Sequence, residues 1–521
     1  MKRQKSLLSI LISFVLLSTM NSCISDFLDY LPKDKITSAT FPENEDDIKM
    51  LLNGVYTLLG DSLIFDEGLY GFGFLDGCTP NAYVWGNLVA TKIGNGTLTP
   101  GDEGTLTYRW TRSYTIIHRA NNLLSSIEKV ELSDEAKAIY IGEAHFLRGL
   151  AYAILVETYG GVPIIGQSVT IDEARKLVRS TAEETWKQVH DDYDIAIANL
   201  KADAPEVGRA TKGAVLGMKM RAYLYQGEYK NVLETIEKID ALGKYSLFPS
   251  YEDLFNAENE NNQEVLFDIQ YMEGENSQGS YLDQYCGVGT GSWTRGSRYV
   301  PTDHLVNAYE TVDGSVVDPE KPYENRDPRL GFTIVLPGSY ILGSQFPNYL
   351  YPGGSFNHPG CRIKHLACRK YRVQEETALP VSGQSYINYI VLRYADVLLS
   401  KAEALIETNG DINEAIALIN RIRTERNDVK ISPLPSGLSK EEAREKLRKE
   451  RRIEFAMEGL YWSDIKRWNI GKDIYPVEIY DHNGGLVETK FPNGYPEYYN
   501  LLPIPDKERS LNENMKQNPG W

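Results

Sequence analysis

The chain has 521 residues, 42% hydrophobic and 24% charged, with 55 Lys and Arg against 72 Asp and Glu for a formal charge of −17. These proportions describe an ordinary globular protein with room for a large core. The acidic balance argues against nucleic acid or an anionic lipid surface as partner, since both reward clustered Lys and Arg. Aromatic content is the unusual total: 34 Tyr and 7 Trp, many of them in Gly- and Asn-rich stretches unlike core helices. Flat rings stack on the C–H faces of sugars, and Tyr keeps a hydroxyl for hydrogen bonding, although Tyr is also common at helix seams.

The chain opens on Lys2, Arg3 and Lys5, an apolar run from Leu7 to Leu17, and Ser22-Cys23. That is the arrangement of a lipoprotein signal peptide over residues 1–22, with Cys23 as the lipid-bearing first mature residue. An extended tether follows, then a helix over about Asn44 to Leu59 with Ile48, Leu51, Leu52 and Val55 at helical spacing. Residues 60 to 110 read as a long loop, because Gly68, Gly71, Gly73, Gly77, Gly86, Gly94, Gly96 and Gly101 are interleaved there with Tyr70, Phe72, Tyr83 and Trp85.

Helices are predicted over Tyr114–Val130, Ser133–Tyr159, Thr181–Leu200, Lys212–Gln226 and on to about Leu242. In the second of these, Gly149 and Ala153 leave room for a neighbouring helix to approach closely. The same grammar returns at Tyr394–Glu407 and Asn413–Arg426, separated by Asn409-Gly410-Asp411, and a last helix is predicted over Lys440–Trp468. A helix, a Gly-containing turn and a second helix make a tetratricopeptide-like hairpin, although no strict repeat fits the whole chain. The expected architecture is therefore one mostly α-helical domain over 23–521. Its N-terminal helical part spans about 40–245, a loop-rich insertion about 246–390, and a C-terminal helical part about 391–521. The insertion carries two strand-like pieces, Glu264–Ile269 and Phe332–Val335. Cys78, Cys286, Cys361 and Cys368 fit no zinc spacing, and Cys361 and Cys368 are either a local disulfide or buried thiols.

Four segments together resemble the SusD/RagB family of glycan-capturing outer-membrane lipoproteins. They are Cys23 with Asp26-Phe27-Leu28-Asp29 and Pro32; Ala144 to Tyr152 continuing to Tyr159-Gly160-Gly161-Val162-Pro163; Arg393 to Leu399 with Glu450 to Phe455 and Glu458 to Trp468; and Leu502-Pro503-Ile504-Pro505 with Asn518-Pro519-Gly520. The resemblance implies a tetratricopeptide-like scaffold carrying a loop-built glycan face. It also implies a lipid anchor at the cell surface of the outer membrane and a SusC-like TonB-dependent transporter as partner. These motifs mark the fold, not the ligand site.

The charges of Glu450-Arg451-Arg452-Ile453-Glu454-Phe455 read as helix-face charges and interhelical salt bridges, not a catalytic cluster. Gly287 to Ser292 lacks the Lys of a phosphate-cradling loop, and seven scattered histidines offer no metal set. No HExxH or GxSxG motif is present, so neither an enzyme nor a cofactor is expected. For the glycan site the rings and short polar side chains nominate Asn81, Tyr83 and Trp85 in the early loop and Tyr285, Trp293, Arg295 and Tyr299 in the insertion. Tyr349 and Tyr351 are weaker nominees of the same type. The competing readings are a tetratricopeptide-like interaction subunit with no sugar site and a secreted glycan-active enzyme.

Overall fold

The computed structural model describes residues 41–60, 72–84, 89–167, 169–272, 279–282, 299–341, 344–345, 366–371, 383–481 and 484–521. The signal sequence and Cys23 lie outside the described residues. Helices dominate: α1 Glu45–Tyr56, α2 Phe72–Gly77, α3 Val89–Gly94, α4 Thr105–Ile127, α5 Asp134–Tyr159, α6 Ala182–Asn199, α7 Lys212–Gln226, α8 Tyr229–Asp240, α9 Tyr394–Glu407, α10 Ile412–Thr424, α11 Lys440–Glu454 and α12 Tyr461–Arg467. From α4 to α9 the long helices stack in succession, and α9 in turn carries α10 and α11.

Local chemistry sets many of the ends. Thr181 and Ser439 form reciprocal capping boxes with Glu184 and Glu442, and Asn44, Ser133 and Thr211 each accept a first-turn amide. α5 is the central helix, buried on two sides. A Cβ at Gly149 would sit 2.9 Å from the Tyr193 ring of α6, so the glycine sets the α5–α6 spacing. Beside it Arg148 donates to Asp192 at 2.6 Å and to Asn121 at 2.6 Å, tying α6 and α4 to α5 through one side chain.

The strands form only two-stranded antiparallel pieces among the described residues. β1 Ala82–Val84 pairs with β3 Tyr299–Pro301, β2 Val265–Ile269 with β6 Tyr389–Arg393, β4 Ile334–Val335 with β5 Ala367–Cys368, and β7 Val477–Tyr480 with β8 Leu486–Lys490. Because β2 opens the insertion and β6 ends it, their pairing closes the insertion at its base.

A buried ion network lies at that base. Arg393 reaches Glu264 at 2.8 Å, Glu454 at 2.6 Å and Glu458 at 2.8 Å. Arg426 reaches the same Glu264 and Glu454 at 2.8 and 2.9 Å, and Arg329 reaches Asp327, Glu450 and Glu454 at 2.8, 2.7 and 2.8 Å. Burial alone would raise the Glu454 carboxyl, but the guanidiniums of Arg426, Arg393 and Arg329 outweigh it and hold the group well below the usual carboxylate range. Of the charges expected as helix-face charges and interhelical salt bridges, Glu450, Arg451 and Glu454 are interior groups. The bridges are present: Arg451 reaches Asp396 of α9 at 2.8 Å and Glu450 reaches Arg423 of α10 at 3.0 Å.

Three further expectations are corrected, and an open choice at the cysteines is narrowed. The stretch read as loop between 60 and 110 contains α2, β1 and α3, and α4 begins at Thr105, well before Tyr114. The last helix is broken: Met457 and Gly459 take φ of 63° and 77°, turning the chain between α11 and α12. Phe332 and Thr333 close a helical turn, leaving only Ile334 and Val335 extended. Cys78 and Cys368 are buried thiols, for Cys368 the second of the two alternatives expected, while Cys286 and Cys361 fall outside the described residues.

Glu454→Gln leaves Arg393 and Arg426 short of a counter-charge, so it is expected to cost roughly 3–5 kcal/mol in urea unfolding; a loss below about 1 kcal/mol would contradict the central role of the network. A second carboxyl has the opposite pH dependence. Burial pushes Glu143 up to about 7, against the lowering effect of its Tyr56 and Arg209 contacts. Since the folded protein holds this proton more tightly than the unfolded chain, the stabilisation is full below the ordinary Glu range and is lost as pH rises through about 7. Glu143→Gln should therefore be more stable than the parent at pH 8, by up to about 3 kcal/mol, with the gap closing towards pH 5.

Candidate functional site

Of the residues nominated from the sequence, Asn81 and Tyr83 lie on one side of a single ribbon and Tyr299 on the other. Tyr83 faces Val300 and Val84 faces Tyr299 across the β1–β3 pair, so the early loop and the insertion meet there. All three side chains are buried, Asn81 and Tyr299 at 0% exposure and Tyr83 at 8%. Their position makes Asn81 and Tyr299 part of the mount under a site, without surface for a ligand. Trp85, Tyr285, Trp293, Arg295, Tyr349 and Tyr351 lie outside the described residues. In the chain, however, Trp85 follows Val84 directly, and Trp293 and Arg295 precede Tyr299 by six and four positions.

The strap 76–84 is held almost residue by residue. Gly459 donates its amide to Asp76 at 2.7 Å, Lys490 its ammonium to the Gly77 carbonyl at 2.7 Å, and Tyr475 its hydroxyl to the Cys78 carbonyl at 2.9 Å. Thr302 donates its hydroxyl to the Pro80 carbonyl and its amide to the Asn81 carbonyl. Arg452 Nε donates to Asn81 Oδ1 at 2.8 Å, and its Nη2 donates to the His304 carbonyl at 3.1 Å. One guanidinium therefore spans both sides of the ribbon. Gly77 is required where it stands, since a Cβ would lie 2.3 Å from the Val84 side chain and prevent the strap from folding back on itself.

The surrounding groups supply rigidity. Burial pushes the Asp76 carboxyl up to about 7 and the Cys78 thiol up to about 12, so the thiol stays protonated and unreactive. Arg452, Tyr475 and Lys490, which the sequence reading did not single out as site residues, come from the C-terminal part some four hundred positions away. No local pattern marks them, because each is defined by a partner distant in the chain.

A mostly helical scaffold of stacked hairpins, closed by an insertion that meets an early loop, defines the class of protein. The chain belongs to the SusD/RagB family: residues 263–521 match the model described as the SusD family, and residues 26–224 match a model described as starch-binding, associating with outer membrane. Among its relatives is the SusD-like protein P2 of Formosa agariphila, 28% identical over 97% of this chain and 98% of its own. A SusD-like protein of Bacteroides fragilis superposes with a TM-score of 0.80 at 25% identity, covering 94% of this chain and 100% of the other. A SusD-like carbohydrate binding protein of the same species gives 0.80 at 26% identity, over 91% and 99%.

Asn81→Ala removes the acceptor of Arg452 Nε and leaves that buried donor unmatched. It is expected to lower stability by about 1–3 kcal/mol in thermal or urea unfolding, and the loss should largely disappear when Arg452 is replaced at the same time.

Proposed function

We propose that this chain is a lipid-anchored protein of the outer-membrane surface that captures a glycan and hands it, uncleaved, to a SusC-like TonB-dependent transporter. The observation that carries the reading is the ribbon: Val84 and Tyr299 pair across two strands, and in the chain Trp85 directly follows the one while Trp293 and Arg295 precede the other by six and four positions. It occurs in a family one of whose models is described as starch-binding, and a relative of the same fold is described as carbohydrate binding. Trp85, Tyr285, Trp293 and Arg295 would contact sugar, with Tyr349 and Tyr351 as outer contributors, while Asn81, Tyr83 and Tyr299 hold the mount in place. Ring faces and a planar guanidinium suit neutral sugars, which offer C–H faces for stacking and hydroxyls for hydrogen bonds. Cys23 would carry the acyl chains that keep the protein at the membrane.

Calorimetry and affinity electrophoresis against a broad panel of plant, microbial and host glycans test the proposal. Saturable binding with no shorter sugars released is expected, and Trp85→Ala and Trp293→Ala should each weaken it roughly tenfold. Release of shorter products, or no binding by the chain either alone or with a co-purifying barrel, would overturn the reading.

A further inference from the structure

A cavity of about 360 Å³ lies away from the strap, between the end of α1, the loop 206–209 and the end of β2. Its polar wall consists of Asn53, Tyr56, Glu206, Arg209, Asp268 and Gln270. These groups are fixed before any ligand arrives. The Arg209 guanidinium sits over the Tyr56 ring, 5.2 Å from its centroid, and donates to Asn53 at 2.6 Å and Glu206 at 3.2 Å. Asp268 accepts from Gln270 at 2.7 Å and from Asn388 at 3.2 Å, and burial pushes its carboxyl up to about 6. Gly208, at φ +83°, lets the loop close onto β2, because a Cβ there would lie 2.5 Å from the Gln270 side chain. A second hollow of about 360 Å³, lined by Tyr140 and Glu143, adjoins across the shared residues Glu206 and Arg209.

The lining selects a ligand class. Glu206 is already paired with Lys49 and Arg209 and Asp268 adds a second carboxyl, so the wall has no surplus positive charge for a phosphate or an acidic sugar, and its carboxylate, guanidinium and amide groups disfavour an acyl chain. Fixed carboxylate and amide acceptors around an aromatic ring match a neutral polyhydroxylated ligand, whose hydroxyls donate to Glu206, Asp268 and the amide oxygens. The volume is in the range of small-ligand pockets.

We propose that this cavity is a second carbohydrate subsite, taking sugar residues of a neutral glycan independently of the loops carried by the strap. It rests on the glycan-capture reading above. Two separate contacts on one long chain convert the second binding event into an intramolecular one and slow dissociation without tightening either contact.

Hydrogen–deuterium exchange of the whole chain, with maltohexaose, laminarihexaose, cellohexaose or mannohexaose in turn, tests it. At least one hexaose is expected to slow exchange in peptides covering 205–210 and 267–272 roughly tenfold. Val207→Trp blocks the cavity mouth from a side chain that is 75% exposed, so folding is not at stake. It should abolish that protection and leave any protection near 299–305 unchanged. Protection confined to other regions would overturn the second subsite and leave capture standing, and protection nowhere with any of the sugars would overturn the second subsite, while capture stands or falls on the broad glycan panel. Protection at 205–210 that survives Val207→Trp would also overturn the assignment.

Discussion

Glu454 and its three guanidinium partners are the contact on which the rest of the structure depends. Four arginine and lysine side chains, Arg329, Arg393, Arg426 and Lys370, converge on Glu264, Glu450, Glu454, Glu458 and Asp327 in an interior that excludes water. The groups come from the head of β2 and the end of its partner β6, the turn at Asp327 to Arg329, the segment after β5, the segment after α10, α11 and the turn after it, elements far apart in the chain. Removing so many charges from water is expensive, and an apolar cluster of the same volume could match the net stability. Directional bonds of 2.6 to 2.9 Å do something apolar packing does less well, which is to fix the relative position of short, irregular segments.

That fixing reaches the site through very few residues. Glu458 binds Arg393 and Lys370, and the next residue, Gly459, donates its amide to Asp76 at the head of the strap. Arg452, on α11 between two members of the network, holds Asn81 and the His304 carbonyl. The break in the helix at Met457 and Gly459 is what turns the Gly459 amide towards Asp76. A continuous helix would spend that amide on its own backbone.

The sequence made the scaffold legible and the site only partly so. Lys212–Gln226 and Tyr394–Glu407 have the bounds expected of them, because Thr211, Gly227 and the Asn409-Gly410 turn declare the ends locally. The break inside Lys440–Trp468 was hidden, since Ile453, Met457, Leu460 and Ile465 stay near helical spacing across a turn that tertiary contacts impose. Gly73 and Gly77 made α2 look like loop. Asn81 and Tyr299 looked like ligand contacts because polar and aromatic residues beside glycines look the same whether they meet a ligand or pack under a strand. The pairing of β1 with β3, more than two hundred positions apart, separates the two cases, and no local pattern reports it.

Asp76 and Glu454 show how one interior can give opposite pH behaviour. Both carboxyls are fully buried, and burial raises both. Three guanidiniums within hydrogen-bond reach reverse that for Glu454, while Asp76 has a backbone amide at 2.7 Å, the Asn81 side chain and a more distant attraction from Lys370, which leave it at about 7. Glu454 therefore stays ionised through the range in which ordinary carboxylates titrate. One of the contacts joining the network to the strap, Asp76 with the Gly459 amide, changes charge near neutrality, with the folded state favouring the protonated form below about pH 7. At Asp76 acidity thus acts on the strap itself, while Glu454 beneath keeps its charge.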